Sequence, residues 1–370
     1  MIQAFLSGAE YDEHRSSLVM LIEKNIGEVI IPEGTSRVGE YAFCNCKAVT
    51  YIDIPDSVTS IENYAFYGVG SDSSGVIEGA GKNGEVIIPD SVTHLGYSVF
   101  VWSYIKGFVI SKNISNIRQD TFSGCSKCES YDFTRHESVP TLMDVSAFKD
   151  MTKYNKAKIY VPTKLYPDWI GATNWSTYED YIMPKISEGL IYGDAEVYDP
   201  MLEGYFVVGR GSFDGKELVI PEKYNGWRGE MPVVGMVFEC FKNDDNISFL
   251  YLPESIYYIG GSLFNDCTSL KDIYMPGVTM ISSFEFANLA SLRYVKFSKN
   301  FYSLGGGVFY DCAGVEFDFS DCIQIPYFDS YGRGAEFGMD PVIRVPAALY
   351  DSWRNDTNWA NYRDYIMAAE

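Results

Sequence analysis

Apolar side chains recur along this chain in a fixed phrase. An apolar-x-apolar stretch closed by proline is followed about eleven residues later by an apolar residue and a phenylalanine. Val29-Ile30-Ile31-Pro32 leads to Ala42-Phe43, Ile52-Asp53-Ile54-Pro55 to Ala65-Phe66, and Val86-Ile87-Ile88-Pro89 to Val99-Phe100. With Ser111 in the proline position, Phe108-Val109-Ile110 leads to Phe122. A second series runs from Pro221 to Phe238, Pro253 to Phe264, Pro276 to Phe286 and Ser298 to Phe309. The steps from Pro32 to Pro55, Pro253 to Pro276 and Pro276 to Ser298 are 23, 23 and 22 residues. A unit of that length cannot bury its apolar side alone, so neighbouring copies stack and share one continuous core. Independent strands of a sandwich would not need the same residue at the same offset.

Within one unit, Leu270-x-x-Ile273-x-Met275-Pro276 predicts a short strand with Ile273 and Met275 pointing inward, ended by the proline. Val58-x-x-Ile61 predicts a second apolar row on the opposite wall, with Phe66 filling the interior. Cys46, Cys125, Cys267 and Cys312 each follow a repeat phenylalanine by three residues, which suits a small buried side chain better than half of a bridge. Cys125-x-x-Cys128 has no second pair and no nearby histidine, so no zinc site is expected.

The pattern resembles the BspA-like leucine-rich repeats, also called the Treponema pallidum type: an Ile-x-Ile-Pro strand, Val-x-x-Ile, then Ala-Phe-x-x-Cys. Residues 53–61 with Tyr64-Ala65-Phe66 fit it closely, while Ser111 and Ser298 depart from it. The resemblance implies a β-rich leucine-rich-repeat solenoid of short strands and turns with few helices, in two tandem right-handed arrays. It also implies a bacterial surface or secreted adhesin-like protein that binds macromolecules of a host or of neighbouring cells.

A longer repetition sets the domain plan. Val161-Pro162, Leu165-Tyr166, Trp169, Thr173-Asn174-Trp175 and Tyr178 recur as Val345-Pro346, Leu349-Tyr350, Trp353, Thr357-Asn358-Trp359 and Tyr362, at a constant offset of 184. This matches the segment that follows the repeats in many BspA-like proteins. Trp and Tyr suit the exposed end of a solenoid, so 161–183 and 345–367 are expected to be helical caps. The expected domains are 1–185 and 186–370, each an array with its cap. Residues 205–215 are expected to open the second array as a hairpin-like unit, and residues 4–26 are its diverged N-terminal counterpart. The Gly- and Ser-rich stretch 68–84 stretches the period by eleven residues and is expected to be a surface loop.

Composition then narrows the function. The chain has 370 residues, 29 Lys plus Arg against 50 Asp plus Glu, and a formal charge of −21. That balance repels phosphate backbones and anionic lipid, so nucleic acid and membrane insertion are not expected. No export signal or anchoring segment is visible in the chain as given. His14, His94 and His136 lie in different units without metal-ligand spacing, His94 reading as a solvated turn residue. There is no Gly-x-Ser-x-Gly, P-loop or His-Glu-x-x-His, so neither catalysis, a cofactor nor a bound metal is expected.

Surface recognition remains. If Leu250, Leu252, Ile273, Met275, Val295 and Phe297 point inward, then Phe249, Tyr251, Asp272, Tyr274, Tyr294 and Lys296 face outward from the sheet. Stacking would set them side by side as an aromatic patch of mixed charge, suited to a protein or glycan partner. The first array offers Tyr51, Asp53, Ile87 and Val109 at the corresponding positions. The expected function is non-enzymatic binding or adhesion through this face. A phage or prophage tail component, or another structural scaffold that is not secreted, is the alternative.

Overall fold

Three walls, each built from one segment of the repeat, surround a core of stacked apolar side chains. The computed structural model describes residues 9–11, 17–21, 27–70, 75–154, 157–328 and 337–369, with side chains from residue 27 onward except at 152 and 154. The chain divides into two compact units, Met1–Lys185 and Ile186–Glu370. His14 and most of 4–26 lie outside the described residues.

The first wall is a parallel sheet formed by the segments before each proline. In unit 2 it is continuous, with Glu217–Val219, Phe249–Tyr251, Asp272–Met275, Tyr294–Phe297, Glu316–Asp318, Val342–Val345 and Ile366–Ala368 side by side. In unit 1 it is broken: Glu28–Ile30, Tyr51–Asp53 and Glu78–Gly79 form one sheet, while Val86–Ile87 begins another of five strands. The break corrects the reading of 68–84 as a surface loop. Its end returns to the repeat, because Ile77 is buried and bridges to Ile105, and Glu78 pairs with Tyr51. An apolar residue at an inward position was enough to recover part of the insertion for the core.

The strand ends show why serine can replace proline. The buried Ser111 hydroxyl donates to the Val92 carbonyl at 2.7 Å, and Ser298 does the same to Val278. Each buried hydroxyl is thus satisfied by a carbonyl, so the polar side chain is tolerated where other copies carry proline.

The second wall consists of two-residue strands. Arg37–Val38, Ser60–Ile61 and His94–Leu95 pair in parallel in unit 1; Tyr258–Ile259, Met280–Ile281, Ser303–Leu304 and Tyr327–Phe328 do so in unit 2. His94 is therefore a strand residue opposite Ser60, not a turn residue. The second member of each pair faces inward, and Val38, Ile61, Leu95, Ile259, Ile281 and Leu304 are all buried.

The third wall has no strands but is as regular. Each repeat phenylalanine is flanked by residues in the left-handed region, such as Tyr41 and Asn45 around Phe43, or Tyr64 and Gly68 around Phe66. This kink aims successive N–H groups at the next copy: Phe43 N–H donates to Ala65 O at 2.7 Å and Asn45 N–H to Tyr67 O at 2.7 Å. The phenylalanines stack inside it. Ring centroids are 5.0 Å apart for Phe43–Phe66, 5.4 Å for Phe66–Phe100 and 5.6 Å for Phe100–Phe122, with near-parallel planes.

In unit 2 the stack starts at Phe241, 5.7 Å from Phe264, and not at Phe238, which is exposed. The hairpin Lys223–Gly226 with Gly229–Met236 lengthens that first repeat and shifts its phase, so the phenylalanine three positions later reaches the core. The opening pair of unit 2 is Ile191–Asp194 antiparallel to Tyr205–Gly209, which places it upstream of the expected 205–215.

Cysteine acquires a reason here. Cys125 and Cys267 each donate their thiol to the previous phenylalanine carbonyl, of Phe100 and Phe241, at 3.1 Å, and Cys312 to that of Phe286 at 3.4 Å. At the end of unit 1, the six-residue helix Tyr166–Gly171 and a 3-10 segment set Trp169 and Trp175 against Phe133, with Tyr178 against Phe148. Unit 2 repeats the arrangement with Tyr350–Asn355, Trp353 and Trp359 against Phe319. Both second tryptophans bond a proline carbonyl at 2.7 Å, Trp175 to Pro140 and Trp359 to Pro326.

Candidate functional site

The ladder of unit 2 brings the six expected surface residues together. Phe249, Asp272, Tyr294 and Glu316 form one row; Tyr251, Tyr274, Lys296, Asp318 and Arg344 form the next. Their direction is as the alternation requires, yet the aromatic part is not open to solvent. Phe249, Tyr251 and Tyr274 are 6%, 3% and 4% exposed. Alternation specifies direction, and pointing away from the solenoid interior is a different matter from being solvated. Rings on strands spaced about 4.8 Å apart cover part of one another, with Phe249 stacked on Tyr274 at 5.4 Å and Tyr274 tilted against Tyr294 at 5.5 Å.

The other half of this face is an ionic network. Arg293 grips Asp272 with two bonds of 2.8 and 2.9 Å. Tyr294 donates its hydroxyl to Asp318 at 2.7 Å, and Lys296 reaches Asp318 at 3.2 Å and Asp321 at 2.6 Å. Burial and the neighbouring Asp318 push the Tyr294 phenol far above its ordinary range. Burial alone would raise Asp318 too, but Lys296, Ser320 and Tyr294 outweigh it and hold the carboxyl below its usual value. These groups bond one another across neighbouring strands, which helps fix the strand register.

One row of exposed aromatics in unit 2 stands on the second wall. Tyr258, Met280, Ser303 and Tyr327 occupy equivalent positions on successive strands, Met280 half-buried and Ser303 buried, and Tyr257 and Tyr302 flank them. Tyr257, Tyr258 and Tyr327 are 49%, 43% and 49% exposed. The Tyr302 hydroxyl lies 3.7 Å from Met280 sulfur, and its ring lies 6.2 Å from that of Tyr327. Gly260 makes room for Tyr258, since a Cβ there would sit 2.1 Å from its hydroxyl. The chain carried a signal for this row: the residue before each inward apolar is Arg37, Ser60 and His94 in unit 1 but Tyr258, Met280 and Ser303 in unit 2.

A second exposed aromatic strip lies on the third wall of unit 1. Tyr41 and Tyr64 stack at 4.9 Å with planes 2° apart, Tyr64 meets Tyr67 edge-on at 6.0 Å, and Tyr67 meets Trp102 at 5.3 Å. Trp102 has a φ of 55°. It occupies a position where the other copies carry Asn45, Gly68, Gly124 and Asp150 in unit 1, and Asn243, Asp266, Asn288 and Asp311 in unit 2, all left-handed. Glycine, asparagine and aspartate tolerate that backbone, whereas a bulky ring there costs of order 1–3 kcal/mol. Its ring lies over Gly124, where a Cβ would fall 2.2 Å from the indole. Beside it opens a hollow of about 270 Å³ lined by Tyr67, Trp102, Asp120, Ser123, Lys149 and Asp150, among others.

The remaining reactive groups are structural. All eight cysteines are free, and burial pushes the thiols of Cys125 and Cys312 up to about 11 and that of Cys267 to about 12, which makes them poor nucleophiles. His136 is buried against Phe133 and Trp169 with Nδ1 3.1 Å from the Phe133 carbonyl, and burial lowers its pKa. Among the described residues, no group of three or more His, Cys, Asp or Glu is placed to hold a metal ion, and no helix is long and apolar enough to cross a membrane.

The family that the repeats match agrees with the repeat geometry. The family model described as the BspA type leucine rich repeat region matches in 6 copies over residues 21–79, 78–166 and 236–325, together more than half of the chain. No curated protein matches. Among solved structures, the leucine-rich repeat protein of T. pallidum is 22% identical over 44% of this chain and 72% of its own, with a TM-score of 0.34. A leucine-rich cell surface protein from Faecalibacterium prausnitzii is 14% identical over 84% and 91%, with a TM-score of 0.27. The pneumococcal vaccine antigen PcpA is 12% identical over 96% and 93%, with a TM-score of 0.26.

Proposed function

This chain belongs to the BspA-type leucine-rich-repeat family, and on that premise we propose that it is a non-enzymatic recognition module, carried on a bacterial surface or secreted, that binds a protein of a host or neighbouring cell. The observation that supports the reading is the row of exposed Tyr258, Tyr302 and Tyr327, with half-buried Met280 among them, on the second wall of unit 2. Tyr and Met are enriched where proteins meet, because each supplies large contact area at low conformational cost. The rigid ladder beneath the row holds its spacing, so little order is lost on binding. A formal charge of −21 selects a partner with a basic patch and speeds its encounter.

Binding of the full chain to a panel of immobilised extracellular-matrix proteins tests this. Replacing Tyr258, Tyr302 and Tyr327 together by serine is expected to weaken a saturable interaction at least about tenfold, since interface tyrosines often carry more than 1 kcal/mol each. The thermal midpoint should stay near that of the parent, because the rings are exposed. Unchanged affinity would move the site off this wall, and no binding by the parent would remove the adhesin reading.

A further inference from the structure

The hollow beside Trp102 in unit 1, we infer, is a subsite for one neutral sugar ring of a glycan. It lies in a different unit from the tyrosine row and stands or falls separately. Trp102 is 56% exposed, so its strained backbone is not repaid by burial of the ring. In the eight copies named above this position carries Asn, Gly or Asp, which adopt the same backbone without a bulky side chain, and Asn or Gly would serve the fold better. What the tryptophan adds is a flat apolar surface held at a fixed angle. Gly124 lets the indole lie close to the turn beneath it, and Tyr67 meets it at 60° to form a corner.

The other residues that line the hollow select the occupant. Asp120 and Asp150 accept hydrogen bonds, Lys149 donates, and Ser123 does either. A pyranose presents the matching set, an apolar C–H face for the ring stack and hydroxyls that both donate and accept. A cationic side chain would suit the aromatics and carboxylates but is repelled by Lys149. An apolar side chain would strip water from the two carboxylates and return nothing. An acidic sugar meets two carboxylates against one ammonium, so a neutral ring fits best. A volume of about 270 Å³ suits a single ring on an open rim, at the low end for a small-molecule site. The stacked pair Tyr41 and Tyr64 continues the aromatic strip from Tyr67, so further sugars of the same chain can lie along it.

The test uses the full chain on an array of neutral and acidic oligosaccharides beside Trp102→Asn and Asp120→Asn. Asparagine keeps the left-handed backbone at both positions, so both variants should fold, and Trp102→Asn should unfold at a temperature equal to or above that of the parent. Saturable binding of neutral glycans, weakened about tenfold or more in both variants and retained in the unit 2 tyrosine variant, is the expected result. Three outcomes overturn it: no neutral glycan bound by the folded parent, parent-like binding by Trp102→Asn, or Trp102-dependent binding of polylysine in place of glycans. The last would make the hollow a cation site.

Discussion

On its second wall unit 1 turns Arg37, Ser60 and His94 outward, whereas unit 2 turns Tyr258, Met280 and Tyr327 outward from equivalent two-residue strands. On the third wall the contrast reverses. Unit 1 carries Tyr41, Tyr64 and Trp102, and unit 2 carries Glu239, Ser262 and Asn243 at matching left-handed positions, with Phe284 the aromatic exception. Behind both walls the interior is the same: a phenylalanine stack, an aliphatic row on each strand, and thiols bonded to phenylalanine carbonyls. The interior is repeated because each copy must fit its neighbour above and below. Outward residues also meet their neighbours, as Tyr41 meets Tyr64, but they are not enclosed on every side, so each unit is freer to vary its own surface.

The equivalence of the two interiors is open to the largest effect. Phe100 and Phe264 are fully buried in the middle of their stacks. Phe100→Ala and Phe264→Ala should each cost about 3–5 kcal/mol in denaturant unfolding. A gap of more than about 2 kcal/mol between them, against that range, would show that the stacks are not interchangeable.

A local difference gives the next effect. In unit 1 the N–H of Tyr64 donates to the Tyr97 carbonyl of the following copy. In unit 2 the corresponding N–H of Ser262, with that of Leu263, donates instead to the buried Glu285 carboxylate at 3.0 Å. Glu285 stands where unit 1 has Ala65 or Val99, and its burial, which raises its pKa, is offset in part by those donors. Glu285→Ala should therefore cost about 1–3 kcal/mol, the scale for an orphaned buried donor, and Glu285→Gln less. A neutral Glu285→Ala, measured by the same unfolding, would mean that the backbone closes on itself as it does in unit 1.

The smallest effect is a pH dependence peculiar to unit 1. Burial holds the His136 pKa below its ordinary value. The unfolded chain then binds the proton more readily, so the contribution is present above about pH 6.5 and is lost as pH falls through the folded pKa. Unfolding followed from pH 7.5 to 5.5 should show a decline that His136→Leu flattens. An identical slope in the variant would assign the decline to other groups.

The positions that were legible in the chain share one property: their environment repeats. Ile52, Ile54, Ile61 and Phe66 are all buried, and the cysteine three residues after the phenylalanine is buried wherever it was read. Phe238 and Phe241 show where legibility ends. Both lie near the expected place, and only the hairpin 223–236, which moves the chain relative to the stack, decides that Phe241 enters it. Ile77 is the reverse case, a core residue inside a stretch whose composition is that of a loop.

For the candidate sites, the direction of Phe249, Tyr251 and Tyr274 followed from alternation alone, because the strand period is a property of the backbone. Their burial did not, because exposure sums over neighbours brought close by folding. The change from Arg37, Ser60 and His94 in unit 1 to Tyr258, Met280 and Tyr327 in unit 2 was written in the residue just before each inward apolar one, with Ser303 keeping the polar character. The strain at Trp102 needed the third dimension: only the left-handed backbone shared by Asn45, Gly68 and Asp150 makes a tryptophan there costly. The amino-acid sequence by itself determined the family, the repeat and the interior rows, since these rest on periodic local patterning. Which outward residues meet solvent was decided by tertiary structure, since exposure depends on what each side chain meets across the stack.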